Sequence, residues 1–296
     1  MLSKKIIKWI NKNIKTDLSD RVIFISGGNS GIGFEATRIC LYLDMKVIWG
    51  CRNLSKAELA KREIIKEYPN KELDIVKFDL AELSSLKDAK DYLCINYPHI
   101  NYLFNNAGVY HLDKGHTKDG FDLTIGTNAI GTYVFTRYLL DIYKEIKVIF
   151  TSSLMANFAH IDCLDYQMEN SYNKTKAYCN SKLMVDQIFL YLSKQYTNNC
   201  FDVSHPGSTY TPLINKGYKN KIIQKIGRPF MKIFFHGPCK ASLSAIYCLN
   251  DNVKNSYVGP RGLFGLSGYP KIKHLPKKAY IGYNNTVEYI NKLINL

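Results

Sequence analysis

No stretch of about 18 uncharged apolar residues occurs in this chain, so nothing in it reads as a membrane-spanning helix. Its eight cysteines, at 40, 51, 94, 163, 179, 200, 239 and 248, include no C-x-x-C pair. That removes the usual zinc and disulfide frameworks, and no metal site is expected. The cysteines fall in strand- or helix-like runs, as small buried hydrophobes do, which favours a reducing, cytosol-facing environment. Acid is missing from two places: none precedes Asp17, and none lies between Asp202 and Asp251. A nucleic-acid signature is also missing, although the net charge is +15. Lysine, asparagine, isoleucine and tyrosine are frequent throughout, so most of the charge reads as a compositional bias, and no nucleic-acid partner is expected. N-x-S/T sequons at Asn53, Asn173 and Asn284 read as chance, because glycans at the first two would obstruct the site described next.

What is present is organised around Val22 to Gly33, VIFISGGNSGIG. An apolar strand runs into a glycine-rich turn and then a helix. Such a turn lets backbone N–H groups approach a pyrophosphate, and the helix N-terminus adds partial positive charge. Glycine is required where a Cβ would block the approach or forbid positive φ. The spacing alone is a weak signal; its place between a strand and a helix strengthens it.

From Arg21 onward the pattern alternates. Strands are predicted at 22–26, 46–50, 73–78, 100–105, 146–152, 200–205 and 256–258, with helices near 31–43, 55–68, 83–96, 120–143, 173–196 and 238–249. Repeated βαβ units predict one α/β domain over 21–296, a doubly wound parallel sheet of about seven strands with helices on both faces. Its ligand would bind at the C-terminal ends of the strands, where strand order reverses. Residues 1–20 carry five lysines, with Leu2, Ile6, Ile10 and Ile14 on one helical face. A helix packed across the sheet edge is the preferred reading. A targeting or membrane-surface segment is the alternative.

Three further signals fall at strand ends. Asn105-Asn106-Ala107-Gly108 follows the fourth strand, and Thr151-Ser152-Ser153 the fifth. Tyr178 and Lys182 lie at i, i+4 in a helix, so phenol and ammonium share a face. A free phenol has a pKa near 10 and is a poor acid–base group at neutral pH. A nearby ammonium stabilises the phenolate and lowers that value. Such a tyrosine can protonate a nascent alkoxide, while a serine hydroxyl holds the oxygen on which charge develops. Each motif alone is weak, but the ordered set is specific.

On these residues the chain resembles the short-chain dehydrogenase/reductase superfamily, and within it the retinol-dehydrogenase-like and WW-domain-oxidoreductase-like branch. The matching pieces are SGGNSGIG (26–33), GCRN (50–53), FDL (78–80), NNAG (105–108), TNAIGTYVFT (127–136), TSSL (151–154), YCNSK (178–182) and HPGSTYT (205–211). The resemblance implies a single-domain Rossmann fold and an oxidoreductase that moves hydride between a nicotinamide and a carbonyl or alcohol. It makes Tyr178 the acid/base, Lys182 its pKa-lowering and ribose-holding partner, Ser153 the substrate-orienting serine, and Asn128 the holder of a relay water. Gly27, Asn29, Ser30, Gly31, Ile32 and Gly33 would hold the pyrophosphate. Arg52 and Asn53 would meet the adenosine ribose, Asp79 and Leu80 would flank adenine, and Asn106, Ala107 and Gly108 would line the adenosine side. Pro206, Gly207, Thr209 and Thr211 would contact the nicotinamide amide and the pyrophosphate. His205 reads as a strand-end residue rather than a base, and Cys179 as packing.

An acid at the end of the second strand would bind the 2′-OH of NAD and repel a 2′-phosphate. Here Cys51 stands in its place and Arg52, a good phosphate ligand, follows. NADP(H) is therefore preferred, with NAD(H) as the alternative; Phe34 stands where many NADP-preferring relatives carry a basic residue. The acid-free stretch 206–240 interleaves seven basic residues with Tyr218, Phe230, Met231, Phe234 and Phe235. It reads either as a functional segment, a lid over an apolar substrate or a weak contact with anionic membrane, or as a solvated face. The expected partner is a small apolar carbonyl or alcohol such as a retinoid, steroid, lipid aldehyde or xenobiotic ketone. Homo-oligomers and peripheral membrane contact stay open. The other readings are a catalytically silent NADP-binding sensor or scaffold, and a membrane-surface protein using 206–240. Occupation of Asn128, Ser153, Tyr178 and Lys182 argues against silence. A cytoplasmic or cytosol-facing location is expected.

Overall fold

The computed structural model describes residues 1–209 and 236–295. Most of the expected flap, including Thr211, lies outside the described residues. Strands β1 (Val22–Ser26), β2 (Lys46–Cys51), β3 (Leu73–Lys77), β4 (Tyr102–Asn105), β5 (Lys147–Thr151), β6 (Cys200–Ser204), β7 (Ser256–Pro260) and β8 (Pro270–Lys273) form one sheet in the order β3-β2-β1-β4-β5-β6-β7-β8. Pairing is parallel from β3 through β7, and β8 adds an antiparallel edge on β7. This eighth strand was not visible in the sequence: it is short and half-exposed, so it carries neither the apolar run of a buried strand nor a helix beside it.

The inner strands are apolar on both sides because helices cover both faces. In β1, Phe24 points into one core while Ile23 and Ile25 point into the other. Helices α4 (Leu83–Asn96), α6 (Gly131–Ile142), α7 (Lys174–Gln195) and α9 (Tyr283–Leu293) supply the first core. Helices α1 (Lys4–Asn13), α2 (Gly31–Tyr42), α3 (Leu54–Glu67) and α8 (Pro238–Tyr247) supply the second. Ile6, Ile10 and Ile14 of the N-terminal segment are buried there, as their spacing predicts. The helix α1 lies against the helical layer rather than only across the sheet edge. Trp9 stacks on Tyr269, and Asn250 accepts from the Lys15 N–H and donates to the Asn13 carbonyl. No described helix is long and apolar enough to cross a membrane.

The order reverses between β1 and β4, and there the carboxyl ends open into a crevice. The long helix expected near 120–143 is broken at its start. A single turn, α5 (Leu123–Ile125), runs into a π-helical turn at Gly126–Ile130 before α6. Such turns recur at functional sites, and this one carries Asn128.

Candidate active site

The crevice is a cavity of about 1050 Å³, and most of the sequence-predicted residues line it. At one end are Gly27, Asn29, Ser30, Gly31 and Ile32; beside them lie Arg52, Asn53, Asp79 and Leu80. Asn106, Ala107 and Gly108 form the floor, and Ser153, Tyr178, Lys182, Pro206, Gly207 and Thr209 the far end. Gly33 and Asn128 do not line it, and both act from behind.

The glycine turn is built to be approached. Gly27 has φ +67°, and a Cβ on Gly33 would stand 2.4 Å from the Gly27 carbonyl oxygen and 2.7 Å from the Asn106 amide nitrogen. The turn is tied to the loop after β4 by Ser26, whose buried hydroxyl accepts from the Asn106 and Ala107 N–H groups at 3.0 Å each. Asn106 returns its own amide to the Ser26 carbonyl at 2.9 Å. Helix α2 begins at Ser30 with no side-chain cap and no acid in its first turn. Its N-terminal N–H groups are left for an anion, so the cradle fits a pyrophosphate.

At the end of β2, Cys51 is buried, with the Gly28 and Asn29 N–H groups directed at its sulfur. Burial outweighs them and pushes the thiol up to about 12, so this position is uncharged at neutral pH. Arg52 is exposed at the cavity wall beside Lys56, a cation that the sequence reading did not single out. Asn53 caps α3, accepting the Lys56 N–H at 2.9 Å. Asp79 spends one oxygen on the Ala81 N–H at 3.0 Å.

At the other end Tyr178 is half-buried, and burial pushes its phenol up to about 12. The Ser153 hydroxyl works against that shift and a second tyrosine, Tyr110, adds to it. The lysine effect expected from the spacing does not dominate. The Lys182 ammonium lies 5.9 Å from the Tyr178 ring centroid and donates to the Thr151 carbonyl at 2.8 Å. Ser153 caps the short helical turn Leu154–Phe158, accepting the Met155 N–H at 3.2 Å.

Asn128 is buried, and both polar atoms of its side chain bond to protein. It accepts the Val109 N–H at 2.7 Å, and donates to the Val109 carbonyl at 2.9 Å and to Ser181 at 3.0 Å. The π-turn thus clamps the loop that floors the site.

Comparison with known proteins decides the family. A model of the short chain dehydrogenase family matches residues 21–221. Mouse retinol dehydrogenase 11 is 30% identical over 258 residues, covering 84% of this chain and 80% of that protein. Mouse retinol dehydrogenase 14 is 30% identical over 246 residues, covering 77% and 72%.

The chain belongs to the short-chain dehydrogenases.

Within them it falls in the retinol-dehydrogenase-like branch, an alcohol/carbonyl oxidoreductase that works with NAD(P)(H). The fold agrees with solved structures. An uncharacterised protein from Mycobacterium paratuberculosis superposes with a TM-score of 0.76 at 23% identity, over 94% of this chain and 95% of that one. Levodione reductase superposes with a TM-score of 0.67 at 17% identity, over 81% and 95%.

The dehydrogenase has lining residues that sequence motifs did not supply. Tyr110 stands against Tyr178, and Met155, Phe158, Phe264 and Leu266 join Leu154 of the TSSL string in an apolar wall at that end. Phe264 is 80% exposed and adopts φ +51°, unusual for a bulky residue. Tyr110, Met155 and Phe158 follow the matched strings by a few positions, Phe264 and Leu266 lie in the tail well beyond them, and nothing in composition sets them apart. His205 is fully buried and stacks on Tyr257; burial holds its ring near about 3, so it stays neutral. It accepts the Gly207 N–H and shapes the turn, as its sequence context implied. His236 was missed: it bonds the Pro206 carbonyl at 2.6 Å and bridges to Thr209. Cys179 is buried away from the cavity.

Proposed function

We propose that this dehydrogenase is an NADP(H)-dependent oxidoreductase of apolar aldehydes, ketones or their alcohols, with Tyr178 as the acid/base. The observation that carries the reading is one cavity with Tyr178, Ser153 and Lys182 at one end and an uncharged Cys51 beside Arg52 and Lys56 at the other. A 2′-phosphate meets two cations there and no acid at the end of β2. Bound in the cradle, NADP(H) supplies or accepts the hydride.

The protein does the rest. Ser153 donates to the substrate oxygen, where negative charge grows during reduction. Tyr178 gives that oxygen its proton, or takes one from an alcohol in the reverse direction. Lys182, anchored on the Thr151 carbonyl, holds positive charge beside the phenol and offsets part of the cost of burying a phenolate. Asn128 fixes Val109, and through it the loop that separates cofactor and substrate ends. The apolar side chains of Leu154, Met155 and Phe158 at that end favour an apolar substrate. Residues 21–296 act as the catalytic unit, with α1 packed on it as an added layer.

A panel of aldehydes and ketones, retinal and straight-chain aldehydes included, tests the reading. Apolar carbonyls should be reduced with NADPH consumed one for one and far better than with NADH. No turnover of any apolar member, or equal use of NADH, would contradict it.

A further inference from the structure

Helix α7 carries an acid where a helix packed on a sheet tolerates one least. Asp186 is fully buried, and neither of its carboxylate oxygens makes a hydrogen bond. It lies one turn beyond Lys182 and two beyond Tyr178, so the three share a helix face. Ser152, at the end of β5, is buried with its hydroxyl unpartnered; it faces Asp186 without closing to a hydrogen bond. Tyr257 of β7 faces the same Ser152 and Asp186, and His205 stacks on its ring at 5.3 Å between centroids.

An unpaired buried carboxyl costs stability, and an apolar replacement is often neutral or stabilising. Aspartate is also a poor residue for a helix interior. Local rules broken in this way concentrate at functional sites. Lys182 supplies the reason here. Its ammonium is buried, and burial pushes it down to about 8; the opposing influence is Asp186. Burial in turn pushes Asp186 up to about 8, with Ser152 and Lys182 favouring its charged form. The charged pair and the neutral pair hold the same number of protons, and the surroundings decide which prevails.

We propose that Asp186 is a positioning residue for Lys182, a buried counter-charge that keeps the ammonium protonated beside Tyr178. It rests on the roles given to Tyr178 and Lys182 above. Asp186 touches neither substrate nor cofactor and acts through Lys182 alone.

The test is an NMR titration of the lysine side-chain nitrogens in the full chain, with Lys182 assigned by its loss in Lys182→Arg. Asp186→Asn should lower the Lys182 midpoint by about one pH unit or more. In retinol oxidation with NADP+, the rising limb of kcat/KM should move up by about one pH unit, while Tm holds or rises. An unchanged Lys182 midpoint would overturn the proposal. So would a fall in rate that is uniform across pH and accompanied by a lower Tm, the mark of a structural role. Should Asp186→Asn fail to fold, the carboxyl carbon of Asp186 in the wild-type chain gives the answer. It should titrate together with Lys182; a carboxyl that stays protonated from about pH 6 to about pH 10 overturns the proposal. Wild-type turnover by Tyr178→Phe would overturn the reading of the site and leave the titration result standing.

Discussion

Tyr110 meets Tyr178 edge to face, with 4.7 Å between ring centroids and 88° between planes. It follows directly on Val109, whose N–H and carbonyl are both held by Asn128. The π-turn therefore sets the ring that packs against the Tyr178 phenol. An edge-to-face pair contributes about 0.5–1.5 kcal/mol beyond its buried area, so Tyr110→Ala should lower kcat up to about tenfold. Tyr110→Phe keeps the contact and should stay within about twofold. Steady-state kinetics on both variants checks this, and an unchanged Tyr110→Ala would show that the contact does not order Tyr178.

Gly33 stands where the turn, the helix start and Asn106 converge. Its added Cβ would sit 2.4 Å from backbone, which cannot yield as a flexible side chain would. Gly33→Ala should cost about 1–3 kcal/mol of stability and most of the NADPH affinity. Thermal unfolding and NADPH fluorescence titration read the two losses separately.

Cofactor choice should follow charge at the adenosine end. Removing both cations in Arg52→Ala/Lys56→Ala should weaken NADPH at least about tenfold and leave NADH nearly unchanged. The wild-type preference should also shrink with added salt, since both cations reach solvent. Equal loss for the two cofactors would mean that these side chains do not meet the 2′-phosphate.

A second buried acid makes stability depend on pH. Asp202 is fully buried, 3.1 Å from the Lys147 ammonium, whose hydrogen bonds go to the Asn250 and Val253 carbonyls. Burial wins over that charge and pushes Asp202 up to about 7, above the unfolded value near 4. The folded state thus holds this proton longer. The stability it contributes is present below about pH 4 and is lost as pH rises towards about 7. Asp202→Asn should flatten that slope in urea unfolding. Lys147→Ala removes the charge that opposes burial and should push the Asp202 transition to still higher pH in the same urea series.

The sequence showed the architecture because strand and helix periods alternate and each motif sits where a strand ends. Ser26, Asn106 and Tyr178 could be placed before their contacts were known. Other features came only with tertiary structure. The antiparallel β8 follows a turn-rich tail with no buried run to mark it. The bonds by which Asn128 holds Val109 and Ser181 join segments far apart in the chain, so spacing could not show them. The expected effect of Lys182 on the phenol ignored burial, which sequence spacing cannot weigh. Tyr110 and Asp186 belong to no string of motif residues, and only packing brings them to the site.

The central claim is that Tyr178 moves the proton. Stopped-flow reduction of retinal by the Tyr178→Phe variant, with NADPH affinity measured in the same sample, tests it directly. The variant should bind NADPH as the wild type does and lose about 10²-fold or more in kcat. Reduction at the wild-type rate, with NADPH bound normally, would contradict the account.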